Sequence, residues 1–154
     1  INDNIGTASS AYCGRALVHY EKMEFEYAIF NYNAAIRVNP KNHIVGIGYN
    51  GLPIGCNDDE FPWAREGDFL NTKYAYVVHA EANAILKVAK STHNCNGATL
   101  YLTLSPCRDC SKLVVQSGIK RVVFINNYKD TSGVDFLKEA GIEIDHIENP
   151  FDGE

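Results

Sequence analysis

Between Leu17 and Phe30, apolar and aromatic residues at Leu17, Tyr20, Met23, Phe25, Tyr27, Ala28 and Phe30 recur three and four apart among charges. That spacing predicts an amphipathic helix. Residues 31–38 and 43–49 are runs with Ile and Val in both arms, and Asn39-Pro40-Lys41-Asn42 between them supplies turn chemistry, so the pattern predicts a hairpin. Residues 50–72 keep neither a helical nor a strand period and carry glycines, two prolines and acids. A loop of that length in a compact domain is usually functional, and Leu52, Phe61, Trp63 and Phe69 predict that it packs, as a lid or wall of a pocket or at a subunit interface.

Regular patterns return at Ala80. Residues 80–90 are rich in Ala, Glu, Leu and Lys with apolar positions at Ala84, Ile85, Val88 and Ala89, a helix signal. Strands follow at 98–104, 120–126 and 142–147, separated by helices from about Cys107 to Gly118 and from Gly133 to Ala140, the latter closed by Gly141. Strands alternating with helices in this half predict right-handed crossovers and parallel pairing beside the hairpin. The expected fold is α/β: a three-layer α/β/α arrangement with a mixed five-stranded sheet and helices on both faces. Residues 1–12 are polar and without period and read as a loose N-terminal tail, with one domain over 13–154.

Composition narrows the function classes. The chain has 154 residues, enough for one buried core, and 45% hydrophobic with 21% charged residues is an ordinary globular balance. No apolar run reaches the ~18 residues of a membrane span. A net charge of −5 disfavours a broad phosphate-backbone face, so a small nucleotide suits the chain better than a nucleic acid polymer. Five cysteines, an odd number, with no apolar leader-like segment, predict a reducing, cytoplasmic setting.

The candidate chemistry lies in two stretches, His79-Ala80-Glu81 and Pro106-Cys107-Arg108-Asp109-Cys110. One imidazole and two thiols give three zinc ligands and leave a fourth position open, and a nearby carboxylate can move protons. His79 and Glu81, two apart, would diverge within a helix, so His79 is expected at the helix entry and Glu81 in its first turn. Cys107 and Cys110, three apart at a helix start behind Pro106, share a face, and the positive helix end is expected to keep both as thiolates. Other readings of the same residues stand beside this one. The C-x-x-C could be a redox pair or half of a closed structural site completed by His93 or Cys95, and Cys56 could join a second zinc. Cys13, Cys56 and Cys95 otherwise read as ordinary thiols. The run Asp58-Asp59-Glu60 reads as a solvated face or as an aid to a cation bound with a nucleotide phosphate.

The H-x-E…P-C-x-x-C order resembles the zinc deaminase signature. Together with Ile44-Val-Gly-Ile-Gly-Tyr-Asn-Gly-Leu-Pro-Ile-Gly55, residues 56–59, Pro62-Trp63 and Gln116-Ser-Gly-Ile-Lys120, it resembles the deoxycytidylate (dCMP) deaminase family over residues 37–148. The resemblance implies hydrolysis of dCMP to dUMP and ammonia, with one Zn²⁺ per subunit on His79, Cys107 and Cys110. Glu81 is then the catalytic proton shuttle between the attacking water and ring N3. It also implies substrate contacts from Asn50, from the backbone of Ala80 and Ser105, and from Tyr128, which with Asp130 lies where the family places a tyrosine over the pocket. Family members are typically homo-oligomers, often hexamers. Many respond to dCTP and dTTP at a site that includes the Gly48-Tyr49-Asn50-Gly51 region, with Mg²⁺ accompanying the nucleotide.

Residues 1–36 do not match the family segment that helps hold the 5′-phosphate. Arg15, Arg37 and Lys73 are candidate replacements, with solvated surface charge as the alternative for each. Three further functions share these features. They are deamination of dCTP or cytidine, a polynucleotide deaminase, against which the acidic charge argues, and an inactive zinc-stabilised oligomerisation module.

Overall fold

In the structure, a computed structural model that describes residues 34–38 and 43–148, strand β1 (Ala34–Val38) runs antiparallel to both its neighbours. These are β2 (His43–Gly48) and β3 (Thr99–Leu104). Beyond β3 the pairing turns parallel, to β4 (Arg121–Asn126) and then β5 (Glu143–His146), giving the order β2-β1-β3-β4-β5. The switch follows from the connections. β1 and β2 follow one another and pair antiparallel, whereas helix α2 (Arg108–Gln116) links β3 to β4 and helix α3 (Ser132–Glu139) links β4 to β5. Crossover helices of this kind return the chain to the same end of the sheet. The α/β architecture and the strand–helix alternation expected of the second half are therefore both present.

Side chains of β3 and β4 alternate between two clusters. Leu100, Leu102, Val122 and Phe124 are buried with Ala84 and Val88 of helix α1 (Ala80–Ala89), Val114 of α2 and Val134 and Leu137 of α3. Each such side chain contributes about 1.5–3 kcal/mol relative to exposure, so this layer dominates the core. Tyr101, Val123 and Ile125 point the other way, with Ile44 and Ile47 packed against them. Among the described residues the helices thus lie on one face of the sheet. The expectation of helices on both faces is met only there, and the helix read at 17–30 and the tail at 1–12 lie outside the described residues.

Two close approaches fix the geometry near the helix starts. A Cβ on Gly46 would lie 2.4 Å from Val88 Cγ2, and one on Gly48 would lie 2.0 Å from the Ala80 carbonyl oxygen. Strand β2 therefore presses its backbone against α1, which only glycine permits. The loop expected at 50–72 extends to Val78. It contains 3₁₀ turns at Asp58–Glu60, Phe69–Asn71 and Lys73–Ala75 and closes at its neck, where Gly51 and Val78 exchange N–H···O bonds of 3.1 and 2.8 Å. The packing expected of its large residues is partial. Phe61 meets the Tyr76 ring at 5.1 Å, but Trp63 and Phe69 are exposed. Among the described residues, no helix is long and apolar enough to cross a membrane.

Candidate active site

His79 is the N-cap of α1, in extended backbone (φ −69°, ψ 154°), and Glu81 occupies the first turn. The extended cap turns the imidazole away from the helix axis, so that residues two apart serve one point. Cys107 holds the same station on α2 (φ −71°, ψ 168°), with Cys110 one turn on. His79 Nδ1 lies 3.5 Å from Cys107 Sγ and 3.5 Å from Cys110 Sγ. Tetrahedral zinc, with bonds of about 2.0–2.1 Å to nitrogen and about 2.3 Å to sulfur, sets an N···S separation of about 3.6 Å. The donor set and its spacing fit zinc.

Both helix starts are braced. Asn50 Oδ1 accepts the Ala80 N–H at 2.9 Å, and Asn83 Nδ2 donates to the Tyr49 carbonyl at 2.9 Å. The Gly51–Val78 pair lies beside both contacts, so the neck of the loop holds α1. On α2, the Ser111 hydroxyl and N–H both donate to the Cys107 carbonyl at 3.0 Å. The first turn of α3 fits against it, since a Cβ on Gly133 would lie 2.1 Å from the Pro106 carbonyl oxygen. Arg108 adds a bond of 3.1 Å to the Ser132 carbonyl and stacks over Phe136.

The electrostatics correct one expectation. A hydrogen bond from Cys110, with a second contact to His79, lowers the Cys107 thiol to about 4. Cys110 is raised instead, by that hydrogen bond and by burial. The helix end alone therefore does not make both sulfurs thiolates, because Cys110 is buried beside a charge of its own sign. A bound dication would favour ionising both. His79 is raised above 6.5, chiefly through its hydrogen bond with Cys107. Glu81 is raised above 4.5 because burial penalises its charged form.

His79, Glu81 and Cys107 line a cavity of about 460 Å³. Asn50, Ala80, Ser105 and Tyr128 also line it, so every residue expected at the substrate or the metal is present except Cys110, which is buried. The Ala80 N–H, expected to read the base carbonyl, is already given to Asn50. Ser105 is buried and its Oγ accepts the Tyr128 N–H at 2.8 Å, setting the height of the tyrosine over the cavity. Asp130 instead accepts from the Ser132 N–H at 3.1 Å. Gly48 to Gly51 have packing work beside α1, and the exposed Tyr49 ring carries Lys87 Nζ at 4.5 Å.

Arg65, Tyr74, Val77 and Thr103, which no sequence pattern marks, also line the cavity, as does Lys73, a phosphate candidate by its charge. Arg65 lies in the aperiodic loop, where its charge was the available signal. Arg15 and the Arg37 side chain lie outside the described residues. Among the described residues, His79, Cys107 and Cys110 are the one group of three or more ligand-type side chains close enough to hold a metal. Cys95 is instead a core residue whose thiol is pushed up by burial. The closed site through His93 or Cys95, and a second site through Cys56, do not form among these residues.

Residues 9–126 match the family described as the cytidine and deoxycytidylate deaminase zinc-binding region. The deoxycytidylate deaminase of Enterobacteria phage T4 is 42% identical, across 71% of this chain and 76% of its own. The chain belongs to the deoxycytidylate deaminase family. Within it, the Homo sapiens deoxycytidylate deaminase is 50% identical across 61% of this chain, which spans about half (53%) of that relative's length. The dCMP deaminase of cyanophage S-TIM5, solved in complex with dCMP and dUMP, is 31% identical. It superposes with a TM-score of 0.61 over 92% of this chain and 97% of its own. The His79, Cys107 and Cys110 group lies within the residues matched to that zinc-binding region.

Proposed function

We propose that this chain is a zinc-dependent deaminase that hydrolyses dCMP to dUMP and ammonia, supplying dUMP. The observation that carries the reading is a buried carboxylate, Glu81, in the same cavity as the His79–Cys107–Cys110 group. The names of the phage T4 and human relatives and the nucleotides bound by the cyanophage protein supply the substrate.

His79, Cys107 and Cys110 would hold one Zn²⁺ per subunit. When bound, zinc supplies the Lewis acidity that makes water a nucleophile near neutral pH. Glu81 does the proton work. It takes one proton from the attacking water and delivers it to ring N3 while oxygen bonds to C4. It then passes the second water proton to the amino group, the C4–N bond breaks and ammonia leaves. The raised pKa of Glu81 suits a group that must both accept and return a proton. Asn50 holds the start of α1 and contacts the sugar and ring. If the Ala80 N–H reads the base carbonyl, Asn50 shares or releases it. The Ser105 carbonyl faces the amino group, and Tyr128 covers the ring.

The reading extends to one domain over 13–154, with a second helical layer over the face that carries Tyr101, Val123 and Ile125. It also includes a homo-oligomer, a hexamer by family analogy, to which the exposed Ile54, Phe69 and Leu70 lend an apolar surface. Regulation by a nucleotide with Mg²⁺ near Gly48–Gly51 belongs to the proposal as well. The test is a panel of dCMP, CMP, dCTP and cytidine offered to zinc-loaded protein, with the absorbance loss on deamination recorded with and without dCTP or dTTP. Preference for dCMP is the expected result. Better turnover of dCTP or cytidine would move the chain to another substrate.

A further inference from the structure

Tyr128 reaches the cavity from residues 127–131, a stretch between β4 and α3 that forms neither helix nor strand and is exposed except at the half-buried Tyr128. Such a segment opens readily unless individual bonds hold it. Two side-chain bonds tie it to the zinc side of the cavity, one toward each end. The Tyr128 N–H donates to Ser105 Oγ at 2.8 Å, and the Arg108 guanidinium donates to the Ser132 carbonyl at 3.1 Å. Between them Asp130 accepts the Ser132 N–H at 3.1 Å and closes a turn just ahead of α3. Ser105 and Arg108 flank Pro106-Cys107, so the stretch that delivers a metal ligand also holds the segment that carries Tyr128.

Arg108 is suited to that tie. Ser132 and Phe136 are four apart on α3 and share a face, so one guanidinium bonds the Ser132 carbonyl while its centre lies 4.5 Å from the centroid of the Phe136 ring. The neighbouring Asp109 is taken by Lys112 at 2.7 Å, which leaves the Arg108 charge to the carbonyl and the ring. Arg108 itself does not line the cavity. We propose that Arg108 is a positioning residue: it pins residues 127–132 to the start of α2 so that Tyr128 stands over the ring of a bound nucleotide. The inference rests on the reading of the cavity as a cytosine-nucleotide site. Without the tie, the segment is closed for a smaller fraction of the time, and nucleotide affinity falls by that fraction. The zinc ligands are held by the caps and first turns of α1 and α2 and do not depend on it.

Zinc-loaded wild type, Arg108→Met, Arg108→Lys, Tyr128→Ala and the double variant Arg108→Met/Tyr128→Ala are compared for dUMP binding by calorimetry, KM and kcat on dCMP, bound zinc, and amide hydrogen exchange without nucleotide. Arg108→Met keeps the aliphatic stem and removes the donor and the charge. It should weaken dUMP binding and raise KM by about three- to tenfold, with kcat changed less and zinc unchanged. Exchange over residues 127–132 should quicken while that of α1 stays as in wild type. Arg108→Lys should recover part of the loss. In the Tyr128→Ala background Arg108→Met should have little further effect, because the two residues act through one contact. Unchanged exchange over 127–132, a loss of zinc, or the full loss of dUMP affinity repeated in the Tyr128→Ala background would each overturn the role, the last being what a direct effect of the cation on the nucleotide's charge would give. If exchange and dUMP binding follow the expected pattern while wild type releases no ammonia from dCMP, the positioning role stands and the deaminase reading fails. If wild type deaminates dCMP and Arg108→Met binds dUMP and turns over dCMP equally well, the deaminase reading stands and the role of Arg108 is wrong.

Discussion

At the floor of the cavity, His79, Cys107 and Cys110 are held by the caps and first turns of two helices packed on a sheet. Around the opening, Arg65, Lys73 and Tyr74 stand on a loop whose only regular pieces are 3₁₀ turns. The floor gains its precision from buried backbone contacts, namely Gly48 against Ala80 and Gly133 against Pro106. The loop depends on individual hydrogen bonds and on one bridge at its neck. Fixed atoms belong where packing is dense, and the loop carries its side chains on a looser frame.

The largest effect should come from removing a ligand at the floor. Cys110→Ala is expected to abolish stoichiometric zinc, measured by metal analysis after gel filtration, and activity with it. In the wild type, zinc affinity should fall as pH drops, because His79, raised above 6.5, and Cys110 must both give up protons to serve as ligands. Zinc retained in full by the variant would mean that the donor set is misassigned.

Next is Gly48→Ala, whose new methyl group would meet the Ala80 carbonyl and force β2 away from α1. Overpacking of this kind costs about 1–3 kcal/mol, so the thermal midpoint and the zinc content should both fall. An unchanged midpoint would show that the strand–helix contact yields more easily than the geometry suggests.

Ser105→Ala probes the join between floor and cover. It leaves the Tyr128 N–H without its acceptor, a loss of about 1–3 kcal/mol if no water replaces it, and kcat/KM for dCMP should drop more than zinc content does. At the far end of the scale is Arg121→Gln at the β4–β5 edge. Arg121 pairs there with Asp145 and Glu143 but is partly exposed, so the change should cost only about 0.2–1 kcal/mol in denaturant melts and leave activity intact.

The same contrast decides how much was legible in the sequence. His79, Glu81, Cys107 and Cys110 stand out through the resemblance of H-x-E…P-C-x-x-C to the zinc deaminase signature, and the spacings at helix starts together with the periods of residues 80–147 account for their meeting at one point. Cys110 shows the limit on the floor, since its burial beside Cys107 reverses the effect expected from the helix end. Gly48 could be read as part of a motif but not as a contact, because its neighbour Ala80 approaches only after folding. Arg65 had no period to place it. Trp63 and Phe69 read as packing in a pocket wall or at a subunit interface and are exposed in the single chain, because a loop held by backbone bonds need not bury its large side chains.

The central claim is that Glu81 moves protons for hydrolysis at the zinc group. It is tested most directly by following dCMP with zinc-loaded wild type and Glu81→Gln, measuring dUMP, ammonia and bound zinc in the same samples. Equal amounts of dUMP and ammonia are expected from the wild type, and a rate lower by about 10²–10⁴-fold in the variant with zinc still bound. Wild-type protein that forms no dUMP, or a zinc-bound variant as fast as the wild type, would contradict it.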